Sequence, residues 1–395
     1  MVNFKSLKHF FHGLKLGVIF FISRLFVILR HFIVSGISSM LKLSTCLVII
    51  SLAFGLTACD KKQQDTKADN TTENASETTP TKLKLAHFMP AGSWQNQTLF
   101  KDWAAAVAKE SKGALEVTVY PAQTLGKAPA GYDNAKNGIT DIAWTVQGYT
   151  ANRFPLSQIV ELPGLFKTAE VGSCAFQKLY DSGALDKEYA ETHVLYVHTH
   201  GPGHLGTKDK PVTTLADLKG LKIRRPTSVI GNLLTELGAE PVGMPAPRIY
   251  ESIQHGSIDG FMLPWEAVAG FRLNEIARDY TEFGFYSLAF VTTMNKDTYE
   301  KLPPKAKQAI DNNSGMKWAL IAGRGYDKGD ADALPKIKQS GTIHQIDPQE
   351  KAQWTAAGER ATQAYLAELD AKGLPGTATY NKVKEYVLAC QSELQ

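Results

Sequence analysis

The stretch LADLKGLKIRRPTS at residues 215–228, followed by LGAEPVGMPAPRIYESIQHGSIDG at 237–260 and LPWEAV at 263–268, sets the architecture. Leu221 to Arg224 is a short apolar strand that ends in a cation, and Val229 to Leu237 has helical spacing. Pro241-Val242 makes a second short strand, Arg248 to Gln254 a second helix and Ile258 to Leu263 a third strand. Strands and helices in strict alternation build a sheet covered by helices, the α/β class.

The alternation extends in both directions. Upstream, KLKLAHF from Lys82 alternates as a strand, and Gln97 to Ser111 puts Leu99, Trp103, Val107 and Ala108 on one helical face. LEVTVYP is again a strand, Gly131 to Asn137 a helix and Asp141 to Trp144 a strand; a helix near Cys174 to Leu179 precedes the strand His193 to His200. Downstream, Val291 to Asn295 is a late strand and helices fill most of 303–395. No internal repeat interrupts this order.

A chain of 395 residues suggests two folded units at roughly 100 to 200 residues each. With 44% hydrophobic and 21% charged residues it is globular rather than disordered. The net charge of +4 comes from residues 1–59, which carry six basic groups and no acidic one. Removing those six from 43 leaves 37 against 39 acids, a net of −2, which disfavours a nucleic-acid binder. Four cysteines without zinc spacing exclude a disulfide scaffold and a structural zinc module.

The N-terminal region reads as an address. In MLKLSTCLVIISLAFGLTACD at 40–60, Lys42 is the positive flank, Leu47 to Leu56 an apolar run too short to span a bilayer, and Leu56-Thr57-Ala58-Cys59 a lipobox that makes Cys59 the lipidated first residue. Met40 by itself starts a sufficient signal, so residues 1–39 read as an over-extended start. Residues 60–81 have almost no apolar side chain and read as a solvated tether. Asp60 directly after the cysteine resembles the signal that retains lipoproteins on the inner membrane. Once Cys46 leaves with the signal, Cys174 and Cys390 remain in an oxidising compartment, either as a disulfide or as two free thiols.

Three motifs invite a functional reading and two of them fail. Gly201-Pro202-Gly203-His204-Leu205-Gly206 has the dinucleotide spacing, but the following KDKPVTT cannot be the helix that would meet a pyrophosphate, so it reads as an interdomain crossing. His198, His200 and His204 share no acidic companion, and no metal or cofactor site is expected. Nucleophile elbows, H-E-x-x-H and the P-loop are absent. Arg224 is different: it stands at a strand's C-terminal end, where open α/β sheets bind ligands, and its planar fork suits a carboxylate. Trp144 and Trp265, at or just past strand ends, fit the walls of an organic-ligand site.

Taken together, LADLKGLKIRRPTS, LGAEPVGMPAPRIYESIQHGSIDG and LPWEAV resemble the substrate-binding proteins of TRAP transporters, the DctP-like family, and the likeness runs from about Lys82 into the late helices. The resemblance implies two α/β lobes joined by crossing strands and a long late helix, the periplasmic-binding-protein fold. On this basis 1–58 is the extension and lipoprotein signal, 59–81 the lipidated cysteine and tether, 82–200 with 290–328 lobe I, and 201–289 with 329–395 lobe II. The family closes over an organic acid and delivers it to the small and large subunits of a membrane permease, here from an inner-membrane lipid anchor in the periplasm. Its hallmark arginine falls on Arg224, and Thr227 lies where members often have another polar contact.

Sialic-acid-type members carry a second arginine where this chain has His204 and an asparagine where it has Leu263. Both differences make the pocket less polar. With Phe88, Trp144, Trp265 and Gln147 as further lining, an aromatic or apolar carboxylate, keto or hydroxy acid, is the expected ligand. The competing expectation is a lipid-anchored enzyme in which His204 is the base and Arg224 orients the acid.

Overall fold

The computed structural model describes residues 79–395. Cys59, Met40 and the tether up to residue 78 lie outside the described residues. The first strand begins at Thr81, one residue inside the segment read as tether.

Eleven strands among the described residues are divided between two sheets. The first has the order β2-β1-β3-β10-β4, made of β1 (Thr81–Ala86), β2 (Leu115–Tyr120), β3 (Ile142–Val146), β4 (Thr192–Thr199) and β10 (Ala289–Asn295). β1 runs parallel to β2 and β3, whereas β10 is antiparallel to both β3 and β4. Every residue of β3 and of β10 is buried, as expected for strands covered on both faces.

The second sheet has the order β11-β9-β5-β8-β6-β7. Its strands are β5 (Gly203–Thr207), β6 (Lys222–Arg225), β7 (Glu240–Gly243), β8 (Gly260–Leu263), β9 (Asp279–Tyr286) and β11 (Thr342–Gln345). The chain therefore passes from the first sheet to the second at 200–202 and returns at 287–288. Six helices matter below: α1 (Ala169–Asp181), α2 (Ser228–Glu236), α3 (Trp265–Gly270), α4 (Met316–Ser340), α5 (Lys351–Ala371) and α6 (Gly376–Glu393). The 25-residue α4 packs on α1 of the first lobe and on α3 of the second.

Two aspartates one turn apart tie α4 to both lobes. Asp327 accepts hydrogen bonds from the Ala169 and Glu170 amides at 2.7 and 2.9 Å, at the start of α1. Asp330 accepts from the Glu266 amide at 2.8 Å, at the start of α3. Each carboxylate satisfies free helix-end amides and meets the positive end of a helix dipole.

Two expectations are corrected here. The glycine run at 201–206 crosses between sheets only at its start, because Gly203–Thr207 is the central strand β5. The glycines serve packing: a Cβ on Gly203 would lie 2.0 Å from the Tyr286 ring, and one on Gly206 2.6 Å from the Phe261 ring. Second, residues 376–393 do not belong with lobe II as the boundary at 329–395 had it. α6 packs on α1 of the first lobe, and a disulfide between Cys174 and Cys390, with Cα atoms 6.0 Å apart, joins the two helices.

Candidate functional site

The crossings bring the C-terminal end of β6 near Trp144 in the middle of β3, and a cavity opens between the lobes with about 340 Å³ of space free of atoms, including its mouth. Arg224, Phe88, Trp144 and Leu263 line it, as do Tyr149, His200, Glu266, Phe290 and Tyr326.

Arg224 is completely buried. It pairs in register with Val242 on one side and Phe261 on the other. Nε donates to the Met244 carbonyl at 2.9 Å, Nη1 to the Met262 carbonyl at 3.2 Å and Nη2 to the Tyr149 hydroxyl at 3.2 Å. A guanidinium has five N–H donors, so two remain unused. Among the described residues no carboxylate lies within ion-pair distance of it. A buried charge without a counter-ion is costly. An anionic ligand removes that cost, and the same conclusion follows for Tyr149, whose oxygen also accepts from the Ala246 amide at 3.0 Å and keeps its own proton to donate.

The rest of the wall is aromatic. The Phe88 and Trp144 rings have centroids 4.7 Å apart, and Trp144 stacks on Phe290 at 4.9 Å with planes 7° apart. Trp144 is fixed by donating Nε1–H to His198 Nε2 at 2.8 Å. Burial pushes His198 down to about 3, so the imidazole stays neutral and can accept.

Four residues read from the sequence as ligand contacts lie elsewhere. Trp265 is the first residue of α3 after Pro264, and its ring turns into the core of the second lobe, stacked on His204 with centroids 4.1 Å apart. His204 does not line the cavity, and burial pushes it down to about 3. Thr227 caps α2 and donates to Glu161 Oε2 at 2.6 Å. Glu161 also accepts from the Ala289 amide at 3.3 Å, so this pair fastens the second lobe to the first beside a crossing. Gln147 donates to the Tyr189 hydroxyl inside the first lobe.

The buried acids give the fold a pH dependence. Burial pushes Glu161, Glu188 and Asp330 up to about 7 and Glu266 to about 8. Burial also pushes His87 and His200 down to about 4, and His198 and His204 to about 3. Between pH 4.5 and 6.5 the folded chain holds extra protons on the acids and lacks them on the histidines, and the two effects offset. Above pH 6.5 only the acids differ from the unfolded chain, the folded state binds more protons, and stability falls as pH rises. Each acid contributes on the order of 1 kcal/mol. The thermal midpoint should therefore be flat from about pH 5 to 6.5 and decline toward pH 8; a midpoint that rises across that upper interval contradicts this reading.

Comparison with known proteins agrees with the geometry. Residues 85–369 match the family described as DctP, bacterial extracellular solute-binding protein, family 7. A solute-binding protein of Albidiferax ferrireducens is 28% identical over 275 residues, covering 66% of this chain and 78% of its own. Among solved structures, a TRAP solute binding protein from Rhodoferax ferrireducens, in complex with copurified benzoate, superposes with a TM-score of 0.77 at 38% identity, covering 80% of this chain and all of the other. A marine metagenome TRAP solute binding protein specific for aromatic acid ligands, in complex with 3-hydroxybenzoate, gives 0.76 at 36% identity, covering 79% and 99%.

Proposed function

The chain belongs to the DctP family of bacterial extracellular solute-binding proteins, and on that premise we propose that it captures an aromatic monocarboxylate between its lobes for delivery to a TRAP-type membrane permease. The observation that carries the ligand class is the buried, counter-ion-free guanidinium of Arg224 beside the rings of Phe88 and Trp144. One fixed cation selects one carboxylate, and stacked rings favour a flat apolar body over a polyhydroxylated one. The solved relatives that hold benzoate and 3-hydroxybenzoate support the same class.

No helix of the described residues is long and apolar enough to cross a membrane. Attachment to the inner membrane is proposed through diacylated Cys59, on the strength of Leu56-Thr57-Ala58-Cys59 closing an apolar signal run. Mass spectrometry of membrane-extracted protein decides it, since an N-terminus upstream of Met40 contradicts both the anchor and the start. The enzyme reading needs His204 as a base near the ligand, and His204 is stacked on Trp265 and does not line the cavity.

Isothermal calorimetry of the purified protein against benzoate, phenylacetate, succinate and glucuronate tests the receptor reading. Benzoate or phenylacetate should bind one to one and be recovered unchanged, with the dicarboxylate and the sugar acid far weaker. Preferential binding of succinate or glucuronate overturns the aromatic assignment.

A further inference from the structure

The cavity wall contains a polar atom whose need the carboxylate on Arg224 does not meet. His200 sits in the first crossing, is 1% exposed and lines the cavity. Its Nδ1 faces the Gly201 carbonyl, which can only accept, so the ring proton is on Nδ1 and Nε2 carries a lone pair. Nε2 is buried and has no hydrogen-bond partner among the described residues. Burial holds the ring down to about 4, and the nearby Arg224 cation pushes the same way, so Nε2 stays an acceptor at neutral pH. Orphaned buried acceptors are uncommon and cost free energy.

A ligand can satisfy Nε2 only by donating. A second carboxylate has no proton to give at neutral pH, and among the lining residues Arg224 is the only permanent cation. An ammonium group would bring a second positive charge into a cavity where Arg224 already balances the ligand's carboxylate. A neutral hydroxyl meets both conditions. Glu266 belongs to the same wall and is occupied in part, its Oε2 accepting from Gln95 at 2.8 Å and Trp94 at 3.3 Å.

We propose that His200 Nε2 accepts a hydrogen bond from a hydroxyl group on the ligand, which makes His200 the residue that selects hydroxylated over plain aromatic acids. This rests on the aromatic-acid reading above and deepens it. Hydroxyl-bearing ligands gain the bond, and plain ones leave Nε2 either dry or holding a trapped water.

The test is a comparison of matched acids by calorimetry, benzoate with 3-hydroxybenzoate and phenylacetate with both mandelate and 3-hydroxyphenylacetate, on the wild type, His200→Phe and His200→Gln. In the wild type at least one hydroxylated acid should bind about tenfold more tightly than its parent. That ratio should fall to about one in His200→Phe, whatever the absolute affinities, and be partly restored in His200→Gln, whose amide oxygen can accept. The wild-type comparison needs no variant to fold. Parents that bind as tightly as every hydroxylated partner, or a preference that survives in His200→Phe, overturns the proposal while leaving the receptor reading intact. Failure of all five acids to bind the wild type overturns the aromatic-acid reading and this proposal with it.

Discussion

Arg224→Ala should weaken binding of an aromatic acid about 100-fold or more, because it leaves the ligand's carboxylate in a dry cavity without its partner. Breaking a buried ion pair by removing one member costs about 3 to 5 kcal/mol, and each 1.4 kcal/mol is a factor of about ten in affinity. Arg224→Lys should also bind poorly. The lysine ammonium is a point charge with three donors, whereas Arg224 uses three N–H groups to hold itself on Met244, Met262 and Tyr149 and still presents two. Lysine would have to abandon either the fixed geometry or the ligand. Arg225 is the control, since successive strand side chains face opposite ways. Its side chain lies across Gly231 of α2 and Gly243 of β7, where added Cβ atoms would come within 2.4 and 3.1 Å of it. Arg225→Ala should therefore bind benzoate nearly as the wild type does. Calorimetry on the three variants reads all of this, and full affinity in Arg224→Ala would show that the carboxylate sits elsewhere.

Loss of the Cys174–Cys390 bridge should produce the largest change in stability. The bridge spans a sequence separation of 216 residues. In the chain-entropy account, opening so long a loop releases the unfolded chain and costs up to about 5 kcal/mol. For a folded unit of this size that lowers the thermal midpoint by up to roughly 7 °C. Both cysteines are buried in the contact between α1 and α6, so α6 should loosen first. Neither lines the ligand cavity, so Cys174→Ser with Cys390→Ser should retain its affinity for benzoate well below the midpoint. Differential scanning calorimetry with and without reductant measures the effect. Two alkylatable thiols in unfolded, unreduced protein, or an unchanged midpoint in the double variant, would contradict it.

The parts of the fold that the sequence displays are those written in a regular period. The strand at Leu221–Arg224, the helix after it and the strand that becomes β8 all lie within a residue or two of their positions in the structure. β5 was hidden because Gly203 and Gly206 look like a turn, although they are there to let Tyr286 and Phe261 pack against the strand. β9 was hidden because Gly284, at φ +65°, breaks its alternation, and β11 is four residues at a sheet edge of which only Ile343 is apolar. The packing of α6 on the first lobe has no local signal, since it depends on a contact more than two hundred residues apart in the chain.

The cavity shows the same division. Arg224, near the end of β6, was placed by the rule that open sheets bind ligands at strand ends, whereas Phe88 and Leu263 came from the family resemblance, and Trp144, read as standing at a strand end, is the middle residue of β3 and still reaches the cavity. Trp265 stands just past a strand end, but one residue of helix turns its ring into the core instead. Thr227 had a polar side chain at the right position and spends it on a helix cap and on Glu161. Tyr149, His200, Glu266 and Tyr326 come from four separate segments that only the two crossings and α4 bring together. No window of sequence contains that geometry.

A crystal structure of the protein with benzoate tests the central claim most directly. The account predicts the carboxylate within hydrogen-bond distance of the two unused N–H groups of Arg224 and of the Tyr149 hydroxyl, with the ring against Trp144 and Phe88. Benzoate seated elsewhere, or seated in the cavity with its carboxylate turned away from Arg224, would contradict it.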